Sequence, residues 1–177
     1  DSTWNEYTDN IGNWLLGRLS RSEVYRKVPG KPFVKRVAAF NYDPESGQLI
    51  EEITEPDLPQ EQQIVKSYLH DEFGNILQST VTFFNGEEFE SRNTFTTYDD
   101  QGRFTVSTSN DLGHTSTSIH DPVLGHPISV TDPNGVTVTI EYDPFGRVKR
   151  EDYPNGNWTT NEYILCDGGC PEDAVFY

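Results

Sequence analysis

The sequence is poor in the residues that would support the commonest functional readings. It has no methionine and only two cysteines, and hydrophobic residues make up 33% of its 177 positions. Mean hydropathy is -0.68, low for a chain that folds around a large core. No apolar run approaches the length of a membrane span. Basic residues number 13 against 29 acidic ones, a formal net charge of -16. Such a chain is repelled by nucleic-acid phosphates and anionic lipid surfaces, which excludes nucleic-acid binding and membrane insertion as its work. Helical periodicity is nearly missing too. The one candidate, Glu61-Gln62-Gln63-Ile64-Val65-Lys66, follows Pro56 and Pro59 and runs into an alternating segment, so it reads as strand.

Aromatic residues are not scarce. At 12% they argue against disorder, because disordered chains lack them. Alternation of apolar and polar residues is plain in Val136-Thr137-Val138-Thr139-Ile140-Glu141-Tyr142 and weaker from Phe104 to Ser107. That is the period of a strand with two unlike faces. Val24-Tyr25 and the stretch from Phe33 to Phe40 add β-branched and aromatic runs. The chain starts at Asp1 and ends in Asp173-Ala174-Val175-Phe176-Tyr177, which resembles the start of a strand. It reads as a piece cut from a longer polypeptide.

Turn chemistry carries more information than the strands. Clusters of Asp or Asn with Gly occur at Asp71 to Gly74, Asn85-Gly86, Asp99 to Gly102, Asp111 to Gly113, Asp132 to Gly135, Asp143 to Gly146 and Pro154 to Gly156. Asp and Asn side chains bind the backbone just ahead, proline fixes φ, and glycine takes the positive φ that closes the turn. Each cluster predicts a hairpin tip, and the series predicts an all-β, antiparallel meander.

The turns are periodic. An aromatic or imidazole residue followed by Asp occurs at Tyr42-Asp43, His70-Asp71, Tyr98-Asp99, His120-Asp121 and Tyr142-Asp143, spaced 28, 28, 22 and 22 residues apart. Gly47, Gly74, Gly102, Gly125 and Gly146 follow three or four residues after each Asp. A second set of turns ends at Gly113, Gly135 and Gly156, and His120, Tyr142 and Tyr163 stand seven residues after them. One unit is therefore strand, turn, strand, turn. A fixed period of this kind is a strong fold signal.

These residues resemble the YD-repeat, or RHS-repeat, proteins. The nearest matches to the family pattern are Tyr142-Asp143-Pro144-Phe145-Gly146-Arg147-Val148 and Tyr98-Asp99-Asp100-Gln101-Gly102-Arg103-Phe104. Trp14-Leu15-Leu16-Gly17-Arg18-Leu19 looks like the segment leading into such repeats in secreted bacterial members. The pattern departs where Ser46 lengthens the first turn, where His70 and His120 replace tyrosine, and where Ile164 follows Tyr163 in place of Asp. The resemblance implies an antiparallel β-hairpin strip forming part of a curved or spiralling β-shell. It also implies three segments: lead-in strands at 1–38, repeats at 39–163, and a cysteine-containing insertion with the start of a further strand at 164–177. Relatives include bacterial RHS toxins, the cocoon-forming subunits of insecticidal toxin complexes, and teneurins. The function implied is wall building in a large secreted or surface bacterial protein related to toxins. Partners would be the remaining repeats and C-terminal domain of the same polypeptide, with other toxin-complex subunits or surface glycans as further possibilities. An adhesion or carbohydrate-binding module is the second reading.

The remaining candidate chemistry falls largely on these repeat positions. His70 and His120 hold the tyrosine slot, while His114 and His126 follow a turn glycine, the slot of Arg103 and Arg147. Repeat position thus accounts for all four histidines, and no catalytic residue, cofactor or metal is expected. Glu51-Glu52, Glu87-Glu88, Asp99-Asp100 and Glu151-Asp152 are adjacent carboxylates, which a strand points to opposite faces and which a glycosidase could not use as a facing pair. Asn157-Trp158-Thr159 fits an N-glycosylation acceptor, though Trp158 reads as a packing residue. Cys166 and Cys170 are spaced C-x-x-x-C, which leaves a small disulfide loop, two free thiols or another role open.

Overall fold

The computed structural model describes residues 1–164; Cys166 and Cys170 lie outside them. The chain divides into two compact units, residues 1–115 and Ser116 onward. In the first, the strands are β1 (Ser2–Asn10), β2 (Leu15–Arg26), β3 (Val34–Tyr42), β4 (Leu49–Thr54), β5 (Ile64–His70), β6 (Ile76–Phe84), β7 (Phe89–Tyr98) and β8 (Thr105–Asn110). Each pairs antiparallel with its neighbour in the chain. The second holds β9 (Thr115–His120) save its first residue, β10 (Pro127–Thr131), β11 (Thr137–Tyr142), β12 (Val148–Asp152) and β13 (Trp158–Thr160), paired in the same way.

All-β architecture is thus as the alternation and turns require. One segment differs from the sequence reading. Gln60–Gln62 forms a 3-10 turn, and the strand starts only at Ile64. Pro59 sets the entry to that turn, and the Gln63 side chain donates to the carbonyls of Pro56 and Leu58. These bonds fold the connection onto itself and leave Glu61 outside the ladder.

Among the described residues no second layer covers the strands of either unit. Among the described residues Val37 is the only buried hydrophobic side chain and Glu23 the only buried polar one. They face each other across β2 and β3. Glu23 accepts from Arg21 at 2.9 Å and Lys35 at 2.8 Å, and also from the Tyr25 hydroxyl. Arg21 also binds Asp57, which ties the 55–63 connection to this face.

Elsewhere cations and rings cover the strands. Arg92 lies over Phe83 at 5.0 Å, Lys66 over Tyr68 at 5.2 Å and Arg150 over Trp158 at 5.3 Å. Each such pair contributes about 0.5–1 kcal/mol at an exposed site, and the aliphatic stems shield apolar surface besides. Hydroxyl and amide ladders fill the rest, as in Gln78–Thr80–Asn93, Thr82–Ser91, Thr97–Ser107 and Thr131–Thr137.

Lys35 foremost, then Tyr25, with Arg21 adding to them, hold the Glu23 carboxyl down to about 2 against the burial that pushes it up. A depressed carboxylate stabilises the fold above its ordinary range near 4.3 and ceases to do so as pH falls through the folded value. Glu23→Gln is therefore expected to lower the urea midpoint at pH 7. The gap from wild type should close between about pH 4 and pH 2. Equilibrium unfolding across that range checks this, and a pH-independent gap would contradict it.

Candidate functional site: the aspartate turn row

The chemistry of this chain is concentrated at its hairpin tips. In the turns whose glycine stands three residues on, the first side chain caps the loop from within. Asp71 Oδ1 accepts the N–H groups of Phe73 and Asn75, Asp132 those of Asn134 and Val136, and Asp143 those of Phe145 and Arg147, all at 2.8–3.0 Å. The glycine N–H returns to the carbonyl of the first residue in each. This is a turn closed by one left-handed residue, the bulged form of a short hairpin loop. Asp43 and Asp121 start loops one residue longer, and there the carboxylate takes the second and third amides ahead.

Those amides hold the carboxyls below their ordinary range. For Asp121 the Leu124 and Val123 amides are the main cause, for Asp132 the Val136 amide, and for Asp43 the Ser46 amide. For Asp71, Asp99 and Asp143 burial is the largest influence and pushes upward, but the amide and side-chain donors together outweigh it. Arg103 and Arg147 also pair with the Asp of their own turn. A carboxylate so engaged has little left with which to bind a metal or abstract a proton. Among the described residues no group of His, Cys, Asp or Glu could hold a metal ion.

The aromatic residue before the Asp has a separate task. Its hydroxyl reaches back one strand and donates to the main chain. Tyr42 donates to Leu19 O at 3.0 Å, Tyr98 to Ile76 O at 3.3 Å, and Tyr142 to Pro127 O at 2.8 Å. Tyr163, which has no Asp after it, makes the same bond to Val148 O at 3.1 Å. His70 holds a tyrosine slot without a hydroxyl, and its ring lies 6.4 Å from that of Tyr68.

A further regularity escapes a reading of the sequence. The residue after a turn glycine reaches toward the next turn of the same row. A Cβ placed on Gly74 would stand 3.1 Å from the Gln48 amide. One on Gly102 would stand 2.9 Å from the Asn75 amide and 2.5 Å from the Phe73 ring, and one on Gly146 3.0 Å from the His126 imidazole. Asn75 also donates to Gly102 O at 2.8 Å, and His126 stacks on Tyr142 at 5.0 Å. Arg147 lies 4.1 Å from the Tyr163 ring. At the start of the chain Leu15 and Arg18 take this place against Gly47, while the Asn10 and Asn13 side chains donate to Pro44 O. The glycines at the other ends of the hairpins, Gly86, Gly113, Gly135 and Gly156, have open space where a Cβ would go. The two turn sets look alike in sequence, and only the first is a packed row.

The two histidines that follow a turn glycine differ. His126 packs over the next turn, and His114 contacts Asn110 of its own turn. The first unit also bears a groove of about 630 Å³ between β1, β2 and β3, lined by Glu6, Tyr7, Asp9, Arg18, Asn41 and Tyr42 among others.

Two measurements test the row. Gly102 and Gly113 both have positive φ, at 65° and 77°. Gly113→Ala should cost about 1–2 kcal/mol of unfolding free energy for the left-handed backbone alone. Gly102→Ala should cost about 1–3 kcal/mol more, because the methyl meets Phe73 and Asn75. Equal losses in chemical denaturation would remove the packing argument. Tyr142→Phe should lose about 1 kcal/mol, the net worth of one hydrogen bond. The same experiment reads it, and an unchanged midpoint would make the hydroxyl idle.

Comparison with known proteins agrees with this geometry. The RHS Repeat family model matches residues 120–157, which contain the turns at Asp121, Asp132, Asp143 and Pro154. No curated protein matches the sequence. Among solved structures, that of TcdB2-TccC3 superposes with a TM-score of 0.59 at 14% identity, covering 92% of this chain and 9% of that one. TcdB2-TccC3-TEV gives the same TM-score, identity and coverage of this chain, over 8% of its own length. A Photorhabdus luminescens Tc holotoxin pore aligns at a TM-score of 0.47 and 12% identity, over 86% of this chain and 9% of that one. This chain thus spans about a tenth of the solved chains it resembles. Residues 120–157 are thus matched as an RHS repeat, and the fold of consecutive antiparallel hairpins is shared with TcdB2-TccC3 over most of the chain.

Proposed function

We propose that this chain is a wall-forming segment of a β-shell in a large, secreted or surface-exposed bacterial protein related to toxins. The observation that carries the reading is the single layer of strands. Its polar groups are spent on one another and on turn amides, and only one hydrophobic side chain is buried among the described residues. Such a sheet suits a partition better than a binding pocket. The fold shared with TcdB2-TccC3 supports the toxin-related context. We read the segment as non-enzymatic and without a cofactor. Its natural partners would be further repeats and a C-terminal domain of the same polypeptide, and then other subunits of a toxin complex. No helix among the described residues is long and apolar enough to cross a membrane.

The groove beside Tyr7 and Tyr42 favours a second reading, adhesion through a surface glycan. An exposed ring flanked by Glu6, Asp9 and Asn41 offers both stacking and hydrogen-bonding groups.

Hydrogen exchange separates the two. Among the described residues β1 and β13 each have a strand on one side only. In a wall, the free amides of Ser2–Asn10 and Trp158–Thr160 pair with further strands. They should then exchange at least about tenfold more slowly in the full polypeptide than in this chain alone. Unchanged exchange at both edges would overturn the wall. Glycan-array binding lost in Tyr7→Ala would favour adhesion.

A further inference from the structure

Asn-Gly is the dipeptide in which a backbone amide most readily attacks the preceding side chain, because glycine places no Cβ in the way. The sequence contains three: Asn85-Gly86, Asn134-Gly135 and Asn155-Gly156. All three sit at exposed hairpin tips, yet their surroundings differ in each group the reaction uses.

The nucleophile is the glycine nitrogen. In two of the turns it is engaged: Gly135 N–H donates to Asp132 O and Gly156 N–H to Tyr153 O, both at 3.0 Å. Gly86 N–H makes no hydrogen bond to the described residues, because this turn closes through Asn85 N–H on Glu88 O instead. The electrophile is the side-chain carbonyl carbon. Asn85 Oδ1 accepts two main-chain N–H groups, Glu87 at 2.8 Å and Glu88 at 2.9 Å. Asn155 Oδ1 accepts one, from Asn157 at 3.0 Å. Two amides aimed at one carbonyl oxygen form the arrangement that stabilises developing negative charge in acyl transfer. The leaving group is the side-chain nitrogen, and Asn85 Nδ2 is held by the Glu90 carboxylate.

We propose that Asn85 is a built-in self-modification site, which deamidates through a cyclic imide in the folded protein. Gly86 N bonds to Asn85 Cγ, the Cγ–Nδ2 bond breaks, and ammonia departs carrying the proton lost from Gly86. Water then opens the imide. Hydrolysis at Cγ gives aspartate at position 85, and hydrolysis at the main-chain carbonyl gives isoaspartate; no other reactant is needed. Either product sets a new carboxylate against Glu90 and beside Glu87 and Glu88, at the tip where the Phe84 and Phe89 rings meet 5.3 Å apart. A carboxylate in place of the amide that now binds Glu90 is repelled by it, and isoaspartate adds an atom to the main chain of the turn. The event is therefore a one-way loosening of the β6–β7 hairpin.

The test ages the intact chain at pH 7.4 and 37 °C, folded and in urea, and follows all three sites by peptide mapping for aspartate and isoaspartate. Folding should slow Asn134 and Asn155, whose glycine amides are engaged, and leave Asn85 as fast as in urea or faster. The folded-to-unfolded rate ratio at Asn85 should exceed the other two by at least about tenfold, a modest fraction of what a paired oxyanion site supplies in enzymes. A ratio at Asn85 no larger than at Asn134 or Asn155 would overturn the proposal. Gly86→Ala keeps the attacking N–H but adds a Cβ beside it, and should slow the reaction at Asn85 by about tenfold while leaving the other two rates unchanged. An unchanged rate at Asn85 in that variant would overturn attack by the nitrogen of residue 86.

Discussion

The structure depends on the capped turn in which an Asp side chain accepts amides from the loop it opens. A layer of strands with almost nothing buried cannot be held in register by a core. Register is set at the tips, where Asp71, Asp132 and Asp143 each bind the amides two and four residues ahead and a left-handed glycine closes the loop. A slip of one residue would strand those amides and reverse every side chain to the other face. The turn therefore does work that hydrophobic packing does in most domains.

Since each strand pairs with its neighbour in the chain, the contacts that matter are local. Stability accumulates hairpin by hairpin, in the manner of a repeat array. The stacked row couples the hairpins one to the next. Asn75 reaches the turn at Gly102, and His126 the turn at Gly146. In the first unit Leu15 and Arg18 serve the turn at Gly47, so β2 stands in for a preceding repeat. The Glu23 cluster is a different device. It gathers Arg21, Lys35 and Tyr25 around one carboxylate and so fastens a non-repeating stretch.

Much of this was legible in the residues. Turn chemistry acts over four or five positions, so Asp43 to Gly47 and Asp143 to Gly146 announce themselves without any partner. Strand alternation in Val136 to Tyr142 was readable for the same reason. The 3-10 turn at Gln60–Gln62 was not, because its polar run suits a strand equally well and the deciding bonds come from Gln63 to carbonyls earlier in the connection. The Glu23 cluster was also hidden. Nothing local marks one glutamate among 29 acidic residues as the one that β2 and β3 enclose.

The sequence by itself determined that the chain would be a series of antiparallel hairpins with a repeating aromatic-Asp tip. That follows from the short range of capping, left-handed glycine and alternation. Tertiary structure decided what two similar sets of glycines do. Gly102 and Gly146 lie beneath a planar side chain from the turn before, whereas Gly113 and Gly156 face open space. Both sets satisfy the same local rule of positive φ. Only the pairing of strands brings a residue distant in the chain, 27 positions away for Asn75 over Gly102, over one set and not the other.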